Sequence, residues 1–220
     1  MSATFDASVI LKAWPFLLEG LGLSLMLTLV AMAGGLVLGL FLALARLSRK
    51  RLLAGAAAAY VNGFRAVPLI LVIFWFYFLV PLIVGRPVGA LTSALIAFTL
   101  FEAAYYSEII RAGLQSVRMG QWQAAAASGL RPAQALRYVV LPQALRNMMP
   151  VLITQAIVLF QDTSLVYVIS LRDFMTSTSI VANRDNRLVE MYLFAALVYF
   201  VLCASLSLAA HLAAKRRSAA

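Results

Sequence analysis

The 220 residues are 64% hydrophobic and only 12% charged, with a mean hydropathy of +0.94. A soluble domain of that length cannot hide so much apolar side chain from water, so the composition indicates an integral membrane protein. The formal charge of +10 does not point to nucleic acid, because the basic residues cluster at the ends of apolar runs, as membrane topology signals do.

The chain opens with MSATFDASVILK, in which Asp6 precedes Lys12. It lacks a basic n-region, and the apolar run that follows is too long for an h-region, so no cleavable signal peptide is expected. A helix needs about 20 apolar residues to cross the hydrocarbon core. Five segments meet that need: Gly20 to Ala45, Ala66 to Gly85, roughly Val88 to Ile110, roughly Met148 to Ile169, and Met191 to about Ala214. The runs are continuous rather than alternating, which favours helices over a barrel. The expected fold is therefore all-α, a polytopic membrane bundle of about five spans. One domain is expected over residues 1–220, with its core at about 18–214 and a loop between spans at about 114–147. In the first span Gly35 and Gly39 form a small-xxx-small pair that permits close helix approach. The aromatics FWFYF, Phe74 to Phe78, read as packing and lipid contact. The lone cysteine, Cys203, lies in an apolar run and reads as a packed small side chain.

Orientation follows from Lys and Arg. With the first span running outside to inside, Arg46, Arg49, Lys50, Arg51 and Arg65 fall inside. So do Arg111, Arg118, Arg131, Arg137 and Arg146, and then Lys215, Arg216 and Arg217. Lys12, Arg86, Arg172, Arg184 and Arg187 fall outside. That excess places the N-terminus outside and Ala220 in the cytoplasm.

The inner loop between the third and fourth spans contains QAAAASGLRPAQALRYVVLP, Gln123 to Pro142. Ala124 to Ala127 are strong helix formers. Gly129 suits the left-handed position after a helix, and Pro132 suits the first turn of the next. Arg131 is a poor N-cap, and Leu141-Pro142 is expected to end or kink the second helix. The predicted unit is helix, tight corner, helix. Its bland reading is an amphipathic helix lying on lipid.

Gln123-Ala124-Ala125, Gly129, Val139 and Leu141-Pro142 reproduce the spacing of the EAA signature, E-A-A-x3-G-x9-I-x-L-P, with Gln123 for Glu and Val139 for Ile. This resembles the permease subunits of type I ABC importers. YVNGFRAVPLIL, FEAAYYSEIIRAGLQSV, GQWQAAAASGL, VVLPQALRNMMP and LFQDTSLVYVISL extend the resemblance over nearly the whole chain. They look like the polar amino-acid branch, and most like its members for glutamate and aspartate. The resemblance implies a bacterial inner-membrane, multi-pass subunit whose coupling helix enters a cleft on a separate ATP-binding subunit. Gly120, Gln123, Ala124, Ala125, Gly129, Leu141 and Pro142 are the residues it assigns to coupling, with Ala124 and Ala125 expected to face the ATPase. It also implies a second permease, identical or homologous, a periplasmic solute-binding protein, and an amino-acid substrate.

No G-x-x-x-x-G-K-[ST] occurs, so no phosphate-cradling loop is expected in this chain; ATP and Mg would belong to the partner. One His and one Cys make neither a metal site nor a hydrolytic triad, and no enzyme is expected. Ionisable groups in hydrocarbon are costly and mark partners or wet cavities. Glu108 has Arg111 three residues on, a local ion pair. Glu102 has no local cation, and either lines the pathway or binds another subunit. Gln161-Asp162-Thr163-Ser164 is too polar for a lipid-facing stretch. It and Tyr105 are pathway candidates, against a structural polar network. Arg65 reads as an interface anchor or as a gate residue with a partner carboxylate. The rival classes are a half-unit of an ion-coupled secondary transporter and a membrane scaffold.

Overall fold

A computed structural model describes residues 6–218, without the side chains of 211 and 213–218. The expectations placed on His211, Lys215, Arg216, Arg217 and Ala220 fall outside that description. Helices α1 (Ser8–Arg46), α2 (Arg51–Arg65), α3 (Leu69–Phe74) and α4 (Val80–Val84) are followed by α5 (Ala90–Gln115) and α6 (Met119–Ala127). Then come α7 (Pro132–Ala135), α8 (Leu141–Asp162), α9 (Phe174–Arg184) and α10 (Leu188–Ser218). Four helical stretches are long and apolar enough to cross a membrane: 8–46, 90–115, 132–169 and 188–210. A fifth is composite, because α2 and the 69–84 helix are bent by 104° to one another. The 69–84 part alone is about 24 Å long at the helical rise, somewhat short of a hydrocarbon core.

Two expected boundaries are corrected. The first span is the C-terminal two-thirds of a longer helix that starts at Ser8 and carries Pro15 within it. Of the end or kink expected at Leu141-Pro142, the end is not found. Residues 132–169 follow one helical path, with a π-turn at Leu136–Val140 and a tighter 3₁₀ stretch at Thr163–Ile169. The π-turn explains the continuity. Proline lacks an N–H and clashes with the carbonyl four residues back. Here the turn just before Pro142 is widened, and Leu141 N–H donates to Leu136 O, five residues back. The same device precedes Pro81, where Trp75–Leu79 form a π-turn and Val80 N–H donates to Trp75 O. One wide turn makes room for the ring without breaking the helix.

The centre of the bundle is the seam between α1 and α5. A Cβ added at Gly39 would lie 2.8 Å from Tyr106 Cβ and 3.0 Å from Ala103 O. One added at Gly35 would lie 2.9 Å from Glu102 Cβ. The small-xxx-small pair thus sets the helix separation, as its spacing predicts. Leu27, Ala31, Val72, Ile73, Ala97, Phe98 and Leu159 fill the core beside it. A second cluster, Leu17, Phe174, Val181 and Met191, joins α1, α9 and α10. A third, Ala43, Ile110, Val140, Ala144 and Met148, joins α1, α5 and the start of α8. The segment between the fourth and fifth spans is structured. Asp173 caps α9 by accepting from Met175 N–H at 3.1 Å and Thr176 N–H at 2.9 Å. Phe174 N–H donates to Ser24 Oγ on α1 at 3.1 Å. Large side chains such as Leu193, Leu197 and Phe200 of α10 stay exposed, as a lipid-facing surface requires.

Candidate functional site

The loop at 116–147 forms the helix, corner and helix that its sequence predicts. Gly129 lies at φ +78°. Its N–H donates to Ala126 O at 3.0 Å, and Leu130 N–H donates to Ala125 O at 3.1 Å. Both bonds of a Schellman ending are therefore made, satisfying the last carbonyls of α6. Arg131 makes the N-cap of α7 without a side-chain cap bond, and its N–H instead donates to Gln134 Oε1 at 2.9 Å. Gln134 thus supplies the start that Arg131 leaves weakly specified. Pro132 takes the first helical position, as expected.

α6 is clipped to the membrane helices. Gln143 Nε2 donates to Gln121 Oε1 of α6 at 3.2 Å and to Val139 O on its own helical path at 2.9 Å, and beside it Asn147 Nδ2 ties α8 to the end of α5 by donating to Ser116 Oγ at 2.8 Å. Trp122 packs on the third cluster and Ala125 is buried, so this face of α6 turns inward. Gly120, Gln123 and Ala124 are exposed. The shared outward face expected of Ala124 and Ala125 is therefore corrected: adjacent helical residues point about 100° apart, and packing takes Ala125. Met119, 70% exposed, shares the outward face with Gln123 at four-residue spacing, a position sequence reasoning missed. Leu141 and Pro142 are exposed at the start of α8.

The polar residues of the spans separate into distinct groups. Glu102 is fully buried, with Gln155 Nε2 of α8 donating to its two oxygens at 3.0 and 3.2 Å. Sequence reasoning missed Gln155, although it stands seven residues before Asp162, on the same face of α8. Asp162 closes α8, half-buried, and Thr163 is buried with its hydroxyl donating to Phe160 O at 2.7 Å. Ser164 is half-buried in the 3₁₀ stretch. Gln161 is exposed and turns to α10, its Nε2 3.7 Å from Cys203 Sγ. The four-residue polar run is therefore not one surface, because consecutive helical residues point about 100° or more apart.

Tyr105 belongs to another group. Its ring stacks on Phe101 with centroids 5.1 Å apart, and the Arg65 guanidinium lies 5.5 Å over it. Arg65 also lies 4.0 Å from Glu108. Glu108 pairs with Arg111, as the three-residue spacing predicts, and with Arg46 of α1. One carboxylate thus ties the ends of α1, α2 and α5 together. Arg46 escaped sequence reasoning because it lies 62 residues from Glu108.

Residues 35–219 match the family model described as binding-protein-dependent transport system inner membrane component. The chain is 50% identical over 211 residues to the glutamate/aspartate import permease protein GltK of Escherichia coli O6:H1, covering 93% of this chain and 94% of that protein. It is 36% identical over 199 residues to the probable amino-acid ABC transporter permease protein YckA of Bacillus subtilis, covering 90% and 88%. Its fold superposes on a crystal structure of an amino acid ABC transporter with histidines at a TM-score of 0.90 and 33% identity, covering 97% of this chain and 99% of that one. With the family model matched over residues 35–219 and half of the aligned residues shared with one relative, the chain belongs to the family of binding-protein-dependent transport system inner membrane components.

Proposed function

We propose that this permease subunit carries glutamate and aspartate across the bacterial inner membrane. The observation that carries this reading is the 50% identity to GltK, which extends over 93% of the chain. Membership of the importer family sets aside the ion-coupled half-unit and the scaffold. Two copies of an ATP-binding subunit, a second permease and a periplasmic binding protein complete the proposed assembly, and ATP and Mg are held by the ATP-binding partner. The positive-inside excess supports an outer N-terminus, an inner C-terminus and a cytoplasmic loop at about 114–147, within one permease domain spanning residues 1–220.

In the proposed mechanism the exposed face of α6, with Met119, Gly120, Gln123 and Ala124, docks in the ATPase cleft. Gly129 holds the corner, and the clip from Gln143 to Gln121 passes displacement of α6 to α8. Leu141-Pro142, next to the π-turn, stands where that displacement enters the fourth span. The polar residues Glu102, Tyr105, Gln161, Asp162, Thr163 and Ser164 are the pathway candidates. Hydroxyl and amide donors among them can hold carboxylates without a buried cation.

The test is uptake of radiolabelled amino acids, driven by ATP, into vesicles bearing the whole reconstituted complex and its own binding protein. Glutamate and aspartate are expected to enter and to compete with each other. A second reading, another polar amino acid, is favoured by the 33% identity to the amino acid transporter with histidines. Transport of arginine or histidine with neither entry nor competition by glutamate would establish that second reading.

A further inference from the structure

We infer that the cavity between the first third of α1 and the α8–α9 connection is a binding site for the zwitterionic head of an α-amino acid. The cavity measures about 410 Å³ and is lined by Phe16, Glu19, Leu23, Ser170, Arg172 and Ser177, among others. None of the pathway candidates named above lines it. On the orientation proposed above it opens to the outer side, so it rests on that reading.

Three observations point to a ligand. The first is charge. Glu19 and Arg172 are both exposed, and neither takes part in an ion pair or hydrogen bond among the described residues. A cavity carrying one unspent anion and one unspent cation matches a molecule with one ammonium and one carboxylate. The second is Ser177. It is 1% exposed, lines the cavity, and its hydroxyl has no hydrogen-bond partner among the described residues. Its oxygen is not among the wholly enclosed unpartnered ones, so the little surface it keeps is open to a ligand or water in the cavity. The third is the floor. A Cβ at Gly20 would collide with the Ser177 hydroxyl and would stand 2.7 Å from Asp173 O. Glycine here lets α1 sit directly on the start of α9, which holds Ser177 beside Glu19.

The chemistry follows from the groups. Arg172 offers a planar fork for the α-carboxylate, Glu19 accepts from the α-ammonium, and Ser177 adds one donor. Phe16 and Leu23 supply apolar wall for the side-chain methylenes. Every contact is to the head that all α-amino acids share. The site therefore receives an amino acid without sorting its side chain, and selection lies elsewhere, in the binding protein or deeper in the span.

The test uses the complete complex in proteoliposomes, with Cys203→Ser and Ser170→Cys, so that the rim of the cavity carries the only thiol of this subunit. Labelling by a membrane-impermeant thiol reagent added outside is followed without ATP and without binding protein. Glutamate is expected to slow labelling, and glutarate, which lacks the ammonium, is not. Glu19→Gln and Arg172→Gln should each raise the half-protecting glutamate concentration ten-fold or more. Both residues are exposed, and complete labelling after denaturation confirms that the variants are present in equal amount. Absence of protection by glutamate overturns the site. Protection with an unchanged half-protecting concentration in both variants also overturns it, because the effect then arises from binding elsewhere. ATP-driven uptake in the same vesicles separates the two readings. Uptake without protection removes this site alone, whereas protection without uptake keeps the site and removes the transport reading.

Discussion

Gly39→Ala is expected to weaken the seam on which the bundle is built. The added methyl would stand 2.8 Å from Tyr106 Cβ, 3.0 Å from Ala103 O and 3.0 Å from Ser107 N. Two of those atoms are backbone of α5 and cannot swing aside, so α1 and α5 must part by several tenths of an ångström. Overpacking of this kind costs about 1–3 kcal/mol. Gly22 gives the control on the same helix, because a Cβ there meets nothing within 4 Å. Gly22→Ala should be neutral or gain about 0.5–1 kcal/mol from the lost backbone freedom. The two variants should therefore differ by about 1–4 kcal/mol, with Gly39→Ala the less stable. Thermal unfolding of the purified complex, followed by intrinsic fluorescence at fixed detergent, reads the difference as a lower midpoint for Gly39→Ala. Equal midpoints for the two variants would refute the claim that Gly39 sets the α1–α5 separation.

The coupling face gives a paired test: Ala124→Trp should leave expression and unfolding unchanged while uncoupling ATP hydrolysis from transport. Ala125→Trp should destabilise by about 1–3 kcal/mol, because Ala125 is buried within the chain. ATPase stimulation and unfolding midpoints on both variants check the split, and the reverse pattern would turn α6 over. At Glu102, Glu102→Gln is expected to be mild, since an amide oxygen still accepts from Gln155. Gln155→Leu, which strips the buried carboxyl of its donor, should cost about 1–3 kcal/mol in the same unfolding assay. Equal losses would show that the bond at 3.0 Å contributes nothing. For topology, a reporter fused at Ala219 should be active only in a cytoplasmic form, and periplasmic activity there would reverse the proposed orientation.

The helical membrane bundle was legible from the sequence, because an uninterrupted apolar run has one low-energy answer in lipid: a helix that satisfies its own backbone. The corner at Gly129 was legible for a similar reason, since a left-handed turn after an alanine helix is a local requirement that glycine meets. The seam was legible from Gly35 and Gly39, whose spacing alone puts two missing side chains on one face. Tertiary structure decided what depends on neighbours distant in sequence. Glu108 finds Arg46 across 62 residues, and Glu102 finds Gln155 across 53. Neither partner has a local signature, because each pairing exists only once the helices are packed. Pro142 read as a helix end or kink, and it is not an end: a π-turn carries the helix through it, with Val140 and Ala144 packed in one cluster on either side. Ala124 and Ala125 are identical in composition and propensity. Only the rotation of α6, fixed by Trp122 packing and the bond between Gln143 and Gln121, makes one of them core and leaves the other on the surface.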